Sequence, residues 1–314
     1  MWLIHNQIEE KEFHFSGIGK EGLKLHFVRR GSGKPVILLH GWPGFWYDWR
    51  AVLPRLSENA DVIAPDLRGF GDSEKPEGDP VLLNAPEVHA ADLITLMDSL
   101  GIQKAVFAAH DIGATIAQTL ATVYPDRVES LVLLNPPYPG IGTRRFAPEL
   151  QGQFWYQHFH NLELAEKLVG YNKETVGMYI EHFYRHWIGN NESLSNAELQ
   201  YIIDKYSIPG AFKSSIAYYR ARANAKTKQA VSSAAVRKIR QPTSILWGKK
   251  DPVILAEWSD RLDDYFTRAS LNILEGVGHF VPFEAPNQVI DAIIKQINLK
   301  DSTSSVVDIK TGER

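Results

Sequence analysis

Val106-Phe-Ala-Ala-His110-Asp111-Ile112-Gly113-Ala114 is the stretch that decides how this chain folds. An apolar, β-leaning run over 104–109 stops at His-Asp, and a small-residue segment of helical character starts at Gly113 with no turn residue between them. A strand that passes into a helix through one residue makes a sharp, strained corner, and the side chain at its tip is thrust clear of the backbone. Ala109 and Gly113, two positions either side of Asp111, are the small residues such a corner needs, because a larger side chain would hold helix and strand apart. Asp111 is the tip. Taken alone, the stretch is equally compatible with an aspartate that caps a helix N-terminus.

Outward from this corner the chain alternates. Upstream, Val36-Ile-Leu-Leu-His40 and Asp61-Val-Ile-Ala-Pro65 read as strands, and a helix opens at Pro86 and closes before Gly101. Residues 12–30 read as two strands joined by turns. Gly31-Ser-Gly33-Lys34-Pro35 precedes its strand and lacks phosphate-loop spacing, so it is a turn. Downstream, residues 128–134 form a strand that ends in Asn135-Pro136-Pro137. Strands and helices in this order imply a mostly parallel sheet covered on both faces, with the site in loops at the carboxyl ends of the strands.

The alternation stops at residue 138 and resumes with Thr243-Ser-Ile-Leu-Trp247-Gly248. A helix, the strand Leu271-Asn-Ile-Leu274 and a last helix over 286–297 follow. The expected division is a core over 1–137 and 237–299, a helical cap over 138–236, and a loose polar tail over 300–314. At 314 residues there is ample length for such a core. A net charge of -3 and a pI near 6.4 offer no electrostatic case for nucleic acid or an acidic membrane as partner. The chain holds no cysteine, which removes disulfides, thiolate catalysis and cysteine-metal sites. No apolar run approaches membrane-spanning length and the first residues do not read as a leader, so a cytoplasmic protein is expected.

The identity of residue 111 sets the chemistry. A serine hydroxyl at such a corner needs a base before it attacks an acyl carbon, whereas a carboxylate is ionised at pH 7 and suits attack on an alkyl carbon that carries a leaving group. The product of that attack is an ester, which water must then cleave. Two later strands also end in loops of chemical interest, Trp247-Gly-Lys-Lys-Asp251-Pro252 and Gly276-Val-Gly278-His279-Phe280. Nucleophile, acid and histidine thus follow one another in the chain order of an α/β-hydrolase triad. In front of them stands His40-Gly41-Trp42-Pro43-Gly44, a loop that can aim the Trp42 amide at developing negative charge.

On these motifs, over roughly residues 12–298, the chain resembles the α/β-hydrolase-fold epoxide hydrolases. The resemblance implies that Asp111 attacks a ring carbon of an apolar epoxide, that Asp251 orients His279 as base for water, and that the amides of Trp42 and Ile112 hold the oxyanion. It also implies two cap tyrosines that bind the epoxide oxygen. Tyr156 and Tyr219 match them; Tyr218 stands about 100° round the helix from Tyr219, so only one of the pair is expected to face the site. His40, Pro43 and Trp155, with Trp187 and Phe212 nearby, are the expected apolar pocket residues. No cofactor or metal is needed. Some family members carry the third triad residue after the strand that precedes the cap, but Asn135 stands there, which favours Asp251.

Relatives with the same nucleophile include dehalogenases. Haloalkane dehalogenases place tryptophan after the aspartate, and haloacetate dehalogenases, which resemble this chain near His40, place arginine there; the side chain of Ile112 cannot donate. A non-catalytic protein of the same fold is the third reading, against which the complete set of nucleophile, base, acid and tyrosines argues. Asp66, Arg68, Asp72 and His110 read as structural, His182 and His186 lack a third metal ligand, and His158 and His160 receive no role.

Overall fold

The computed structural model describes residues 17–18, 22–228 and 237–299, with backbone alone over 224–228. The expected tail, residues 12–16 of the first strand region and residues 229–236 of the cap lie outside the described residues. Nine strands are described: β1 (Gly17–Ile18), β2 (Lys24–Leu25), β3 (Phe27–Arg30), β4 (Pro35–Leu39), β5 (Asp61–Pro65), β6 (Ala105–His110), β7 (Val128–Leu134), β8 (Thr243–Gly248) and β9 (Ala269–Leu274). β1 and β2 pair with each other, and the rest form one sheet in the order β3-β5-β4-β6-β7-β8-β9. Only β3 runs antiparallel to its neighbour.

The longer α-helices are α1 (Pro86–Ser99), α2 (Ile112–Val123), α3 (Gln151–Phe159), α4 (Glu163–Val169), α5 (Lys173–Trp187), α6 (Asn196–Tyr206), α7 (Ala217–Lys228) and α8 (Pro286–Ile297). Every residue of β5, β6 and β8 is buried, as helices on both faces of a parallel sheet require. The edge strand β9 is exposed over its first four residues. The stretch read as a helix between β8 and β9 begins as a 3-10 turn, Ala256–Arg261, and continues into an α-turn of four residues; before β5 a 3-10 turn over Trp46–Trp49 likewise precedes an α-turn over Leu53–Leu56.

Between β7 and β8 the described chain is helical, from α3 to α7, with no strand. The order of the strands sets where this helical segment meets the sheet. From β4 the chain moves one way to β5 and then returns to the other side of β4 to lay down β6. The crevice at such a reversal, outside the carboxyl ends of the strands, is where ligands bind in open α/β sheets. Here those two ends carry Gly41-Trp42 and Asp111.

Candidate active site

Asp111 takes φ 49° and ψ -115°, a conformation that costs an L-residue about 1–3 kcal/mol and is held only where its surroundings enforce it. Glycine on both sides makes the enforcement possible. A Cβ on Gly113 would lie 2.5 Å from the His40 carbonyl oxygen, and one on Gly41 would lie 2.5 Å from the Asp111 Cβ. The corner therefore sits hard against the loop that follows β4. From that loop the Trp42 amide N–H donates to Asp111 Oδ1 at 3.1 Å. The Ile112 amide is a second backbone partner of the same carboxylate.

Burial raises the Asp111 pKa above the ordinary carboxylate range, opposed by His279 and by the two amides. His279 is 1% exposed. Its Nδ1 lies 2.8 Å from Asp251 Oδ2, while its Nε2 is buried with no partner among the described residues. Burial lowers the imidazole pKa, but Asp251, by charge and by hydrogen bond, and Asp111 by charge, outweigh it and leave the net shift upward. The other Asp251 oxygen accepts from the amides of Val253 (2.8 Å) and Ile254 (3.0 Å), which sets the carboxylate's orientation.

Asn135 joins these loops together. It is fully buried at φ 42°, and its Nδ2 donates to Asp251 Oδ2 (2.7 Å) and to the carbonyls of Gly278 and His279. Its Oδ1 accepts from the Gly248 amide at 2.7 Å. Sequence reasoning used Asn135 only to dismiss it as an acid. Glu284 was missed altogether; its carboxylate accepts from the amides of Gly278, Phe280 and Gly189, tying the histidine loop to the chain just past α5. The clue was an acidic residue five positions after the histidine, which no spacing rule singles out. The His110 Nε2–H donates to the His279 carbonyl (2.7 Å), a structural contact as expected. Asp66 is likewise structural, accepting from the amides of Trp46 and Asp72.

Asp111 and Ile112 form the floor of a cavity of about 410 Å³ whose walls include Phe154, Tyr156, Tyr218, Tyr219 and Trp258. The rings of Tyr156 and Tyr219 stand at 85° with centroids 5.7 Å apart, and their hydroxyls are hydrogen-bond partners. Burial and the nearby Asp111 charge raise both phenol pKa values, so each remains a donor at neutral pH. Trp42 stacks on Tyr156 at 5.5 Å and meets Tyr219 edge-on. The floor thus reaches the tyrosines through one side chain.

Six expectations are corrected. Tyr218 lines the same cavity as Tyr219, because the cavity wraps round the first turn of α7 instead of touching one face of it. Trp155 does not line it and is 41% exposed, packing on Phe159, Tyr179 and Phe183. On α3 the lining residues Phe154, Tyr156 and Gln157 share one side, and a step of about 100° per residue puts Trp155 opposite their centre. His40 is a fully buried brace, with Nε2 accepting from the Leu67 amide (3.0 Å) and Nδ1 at the Gly41 carbonyl (2.9 Å). Pro43 is buried and offers its carbonyl to the Tyr184 hydroxyl at 3.1 Å. Nor do Trp187 and Phe212 line the cavity; Trp187 packs against His279 and Phe212 against His160.

Comparison with known proteins agrees with this arrangement. Residues 34–286 match the family model described as alpha/beta hydrolase fold. The chain is 32% identical over 280 residues to the soluble epoxide hydrolase of Corynebacterium sp. (strain C12), covering 87% of this chain and 93% of that protein. It is 31% identical over 284 residues to epoxide hydrolase 1 of Caenorhabditis elegans, covering 88% of this chain and 68% of that one. Among solved structures, the epoxide hydrolase CorEH without ligand superposes with a TM-score of 0.76 at 30% identity, covering 88% of this chain and 95% of that one. No described helix is long and apolar enough to cross a membrane. With its strand order, its corner at residue 111 and these relatives, the chain belongs to the α/β-hydrolase-fold epoxide hydrolase family.

Proposed function

We propose that the protein converts an epoxide with an apolar body into a vicinal diol through an ester on Asp111. In the first step an Asp111 oxygen forms a bond to a ring carbon as that carbon's bond to the ring oxygen breaks. Tyr156 and Tyr219 hydrogen-bond the oxygen as it gains charge, and one of them supplies the proton that makes it a hydroxyl. In the second step His279 takes a proton from water while the water oxygen adds to the ester carbonyl. The amides of Trp42 and Ile112 hold the resulting oxyanion. Collapse expels the diol oxygen, which receives the proton from His279, and leaves Asp111 as a carboxylic acid carrying one oxygen from water; its proton returns through solvent to the tyrosine that gave one up.

The first step prepares the second. Asp111 is one of the charges that raise the His279 pKa and so favour the imidazolium. Ester formation removes that charge, so the imidazole shifts toward the neutral base that the hydrolysis step requires. The single observation behind this reading is a carboxylate at the strained corner, bonded to the Trp42 amide and facing the paired Tyr156 and Tyr219 hydroxyls across one cavity.

The decisive experiment separates the steps. After addition of an aryl epoxide, His279→Gln accumulates a covalent adduct seen by intact-protein mass spectrometry, and peptide mapping places it on Asp111. An unmodified mass with turnover intact would remove both residues from these roles. Against the dehalogenase reading, Ile112 has no side-chain donor and the Trp42 indole N–H is directed to Ser215 Oγ at 3.4 Å. Halide release from 1,2-dibromoethane or fluoroacetate is therefore expected to be negligible, and rapid release would reverse the ranking.

A further inference from the structure

The cavity above Asp111 is lined by three arginines, Arg145, Arg222 and Arg237, and by one acidic residue, Asp111 itself. Arginines elsewhere in these same segments have partners. Arg144 pairs with Asp260 at 2.8 Å and bonds the Gly140 carbonyl. Arg220 pairs with Glu166 at 2.7 Å and bonds the His160 carbonyl. Arg145 and Arg222, the neighbours that turn toward the cavity, have no ion pair among the described residues. The Arg145 Nε is buried without a hydrogen-bond partner there, and its guanidinium rests on the Phe146 ring at 4.9 Å. Burial, with the Arg222 charge adding to it, lowers the Arg145 pKa to about 10, so it stays charged at pH 7. Residues 217–240 contain seven basic residues and no acidic one, so the local chain supplies no counter-ion.

A half-buried guanidinium whose Nε–H is out of reach of solvent and unpaired, beside a second cation, is an unfavourable arrangement that an anion would relieve. The planar fork of arginine matches a carboxylate, and two arginines at one place give it both charge and direction. Such an anion must also lie away from Asp111, which repels it. The lining also offers apolar surface, with Ile112, Phe154, Ile254 and Trp258 among it. Building on the epoxide reading above, we propose that the substrate carries a carboxylate, seated by Arg145 and Arg222 while the epoxide ring lies over Asp111 between Tyr156 and Tyr219. Anchoring at a distance from the ring also selects which ring carbon meets the nucleophile.

The test is a series of epoxyalkanoates with three to eight methylenes between ring and carboxylate, each compared with its methyl ester by kcat/KM. At the best chain length the acid is expected to exceed the ester by at least tenfold. Arg145→Gln and Arg222→Gln should each cut that ratio by fivefold or more, whereas Arg144→Gln, which removes the same charge from a paired side chain, should leave the ratio in place. A measurement that needs no variant is equilibrium binding of 6-phenylhexanoate and its amide to the wild-type protein, with the acid binding at least tenfold tighter. Esters equal to or better than acids at every length, an acid preference intact in both glutamine variants, or tighter binding of the amide would each overturn the proposal while leaving epoxide hydrolysis standing. If neither acids nor esters are opened and His279→Gln forms no adduct with them, the epoxide reading fails and this proposal falls with it.

Discussion

The loops at the strand ends and the helices above them make opposite use of polar groups. Below, the Asp111 and Asp251 carboxylates and the Asn135 amide are bonded to backbone or to one another, largely within the sheet's own loops. Above, the hydroxyls of Tyr156 and Tyr219 meet each other, that of Tyr218 lies beside the side chains of Thr115 and Arg222, and Arg145 and Arg222 face the cavity unpaired by any described carboxylate. The difference separates two tasks. A nucleophile and base must be held within tenths of an ångström before substrate arrives, and fixed backbone donors do that. Donors that recognise a substrate must be left free until it binds, at a cost in stability that the fold elsewhere offsets.

The sharpest way to break this contrast is to remove the strand-end groups. Asp111→Ala is expected to abolish ring opening, a loss of about 10⁴-fold or more, and stopped-flow quenching of tryptophan fluorescence on mixing with epoxide would measure it. Next in size are the tyrosines. Tyr219→Phe and Tyr156→Phe should each slow ring opening by about 10–100-fold in single-turnover assays. Tyr218→Phe should cost far less, because Tyr218 lines the cavity without pairing with the other two hydroxyls; equal losses for all three would mean that the cavity's shape, and not the Tyr156–Tyr219 pair, holds the ring oxygen.

Asn135→Ala tests whether the lower network acts as one unit. It leaves the Gly248 amide and an Asp251 oxygen short of a partner and puts alanine at positive φ. Stability is expected to fall by about 3 kcal/mol in urea titrations, with the ester hydrolysis step slowed more than ring opening. The smallest effect is in pH. His279 must be neutral to take the water proton, and its pKa lies above the ordinary imidazole value, so hydrolysis should fall away below a pH higher than about 6.5. Asp251→Asn removes the largest contribution that raises it, and the acid limb of the profile should then move to lower pH. Ring opening needs ionised Asp111, whose pKa is also raised, so its acid limb should stand above the usual carboxylate value of about 3.9.

Legibility in the sequence divided along the same line. That Asp111, Asp251 and His279 come together could be read because each lies in the loop that follows a short strand, and the strand ends of a parallel sheet converge. The small residues round the corner were legible for a steric reason, which the clash of any Cβ on Gly113 with β4 bears out. Trp155 misled because α3 is too weakly patterned to show which side faces inward, and a one-residue error there turns a wall residue into an exposed one. His40 and Pro43 misled because closeness to a reactive loop in sequence is also what a brace for that loop requires.

By itself the order of residues determined a mostly parallel sheet covered on both faces, a carboxylate at the corner, and an acid and a histidine at two later strand ends. These follow from local rules, since strand, turn and helix are set by neighbours a few positions apart. Only the tertiary structure decided which tyrosines pair, that Asn135 gathers three loops, and that Arg145 and Arg222, far apart in the chain, share one cavity. The tyrosine and arginine facts depend on how the helices between β7 and β8 pack on the sheet, and that of Asn135 on how the strand ends converge; packing is a property of surfaces that no short window of sequence contains.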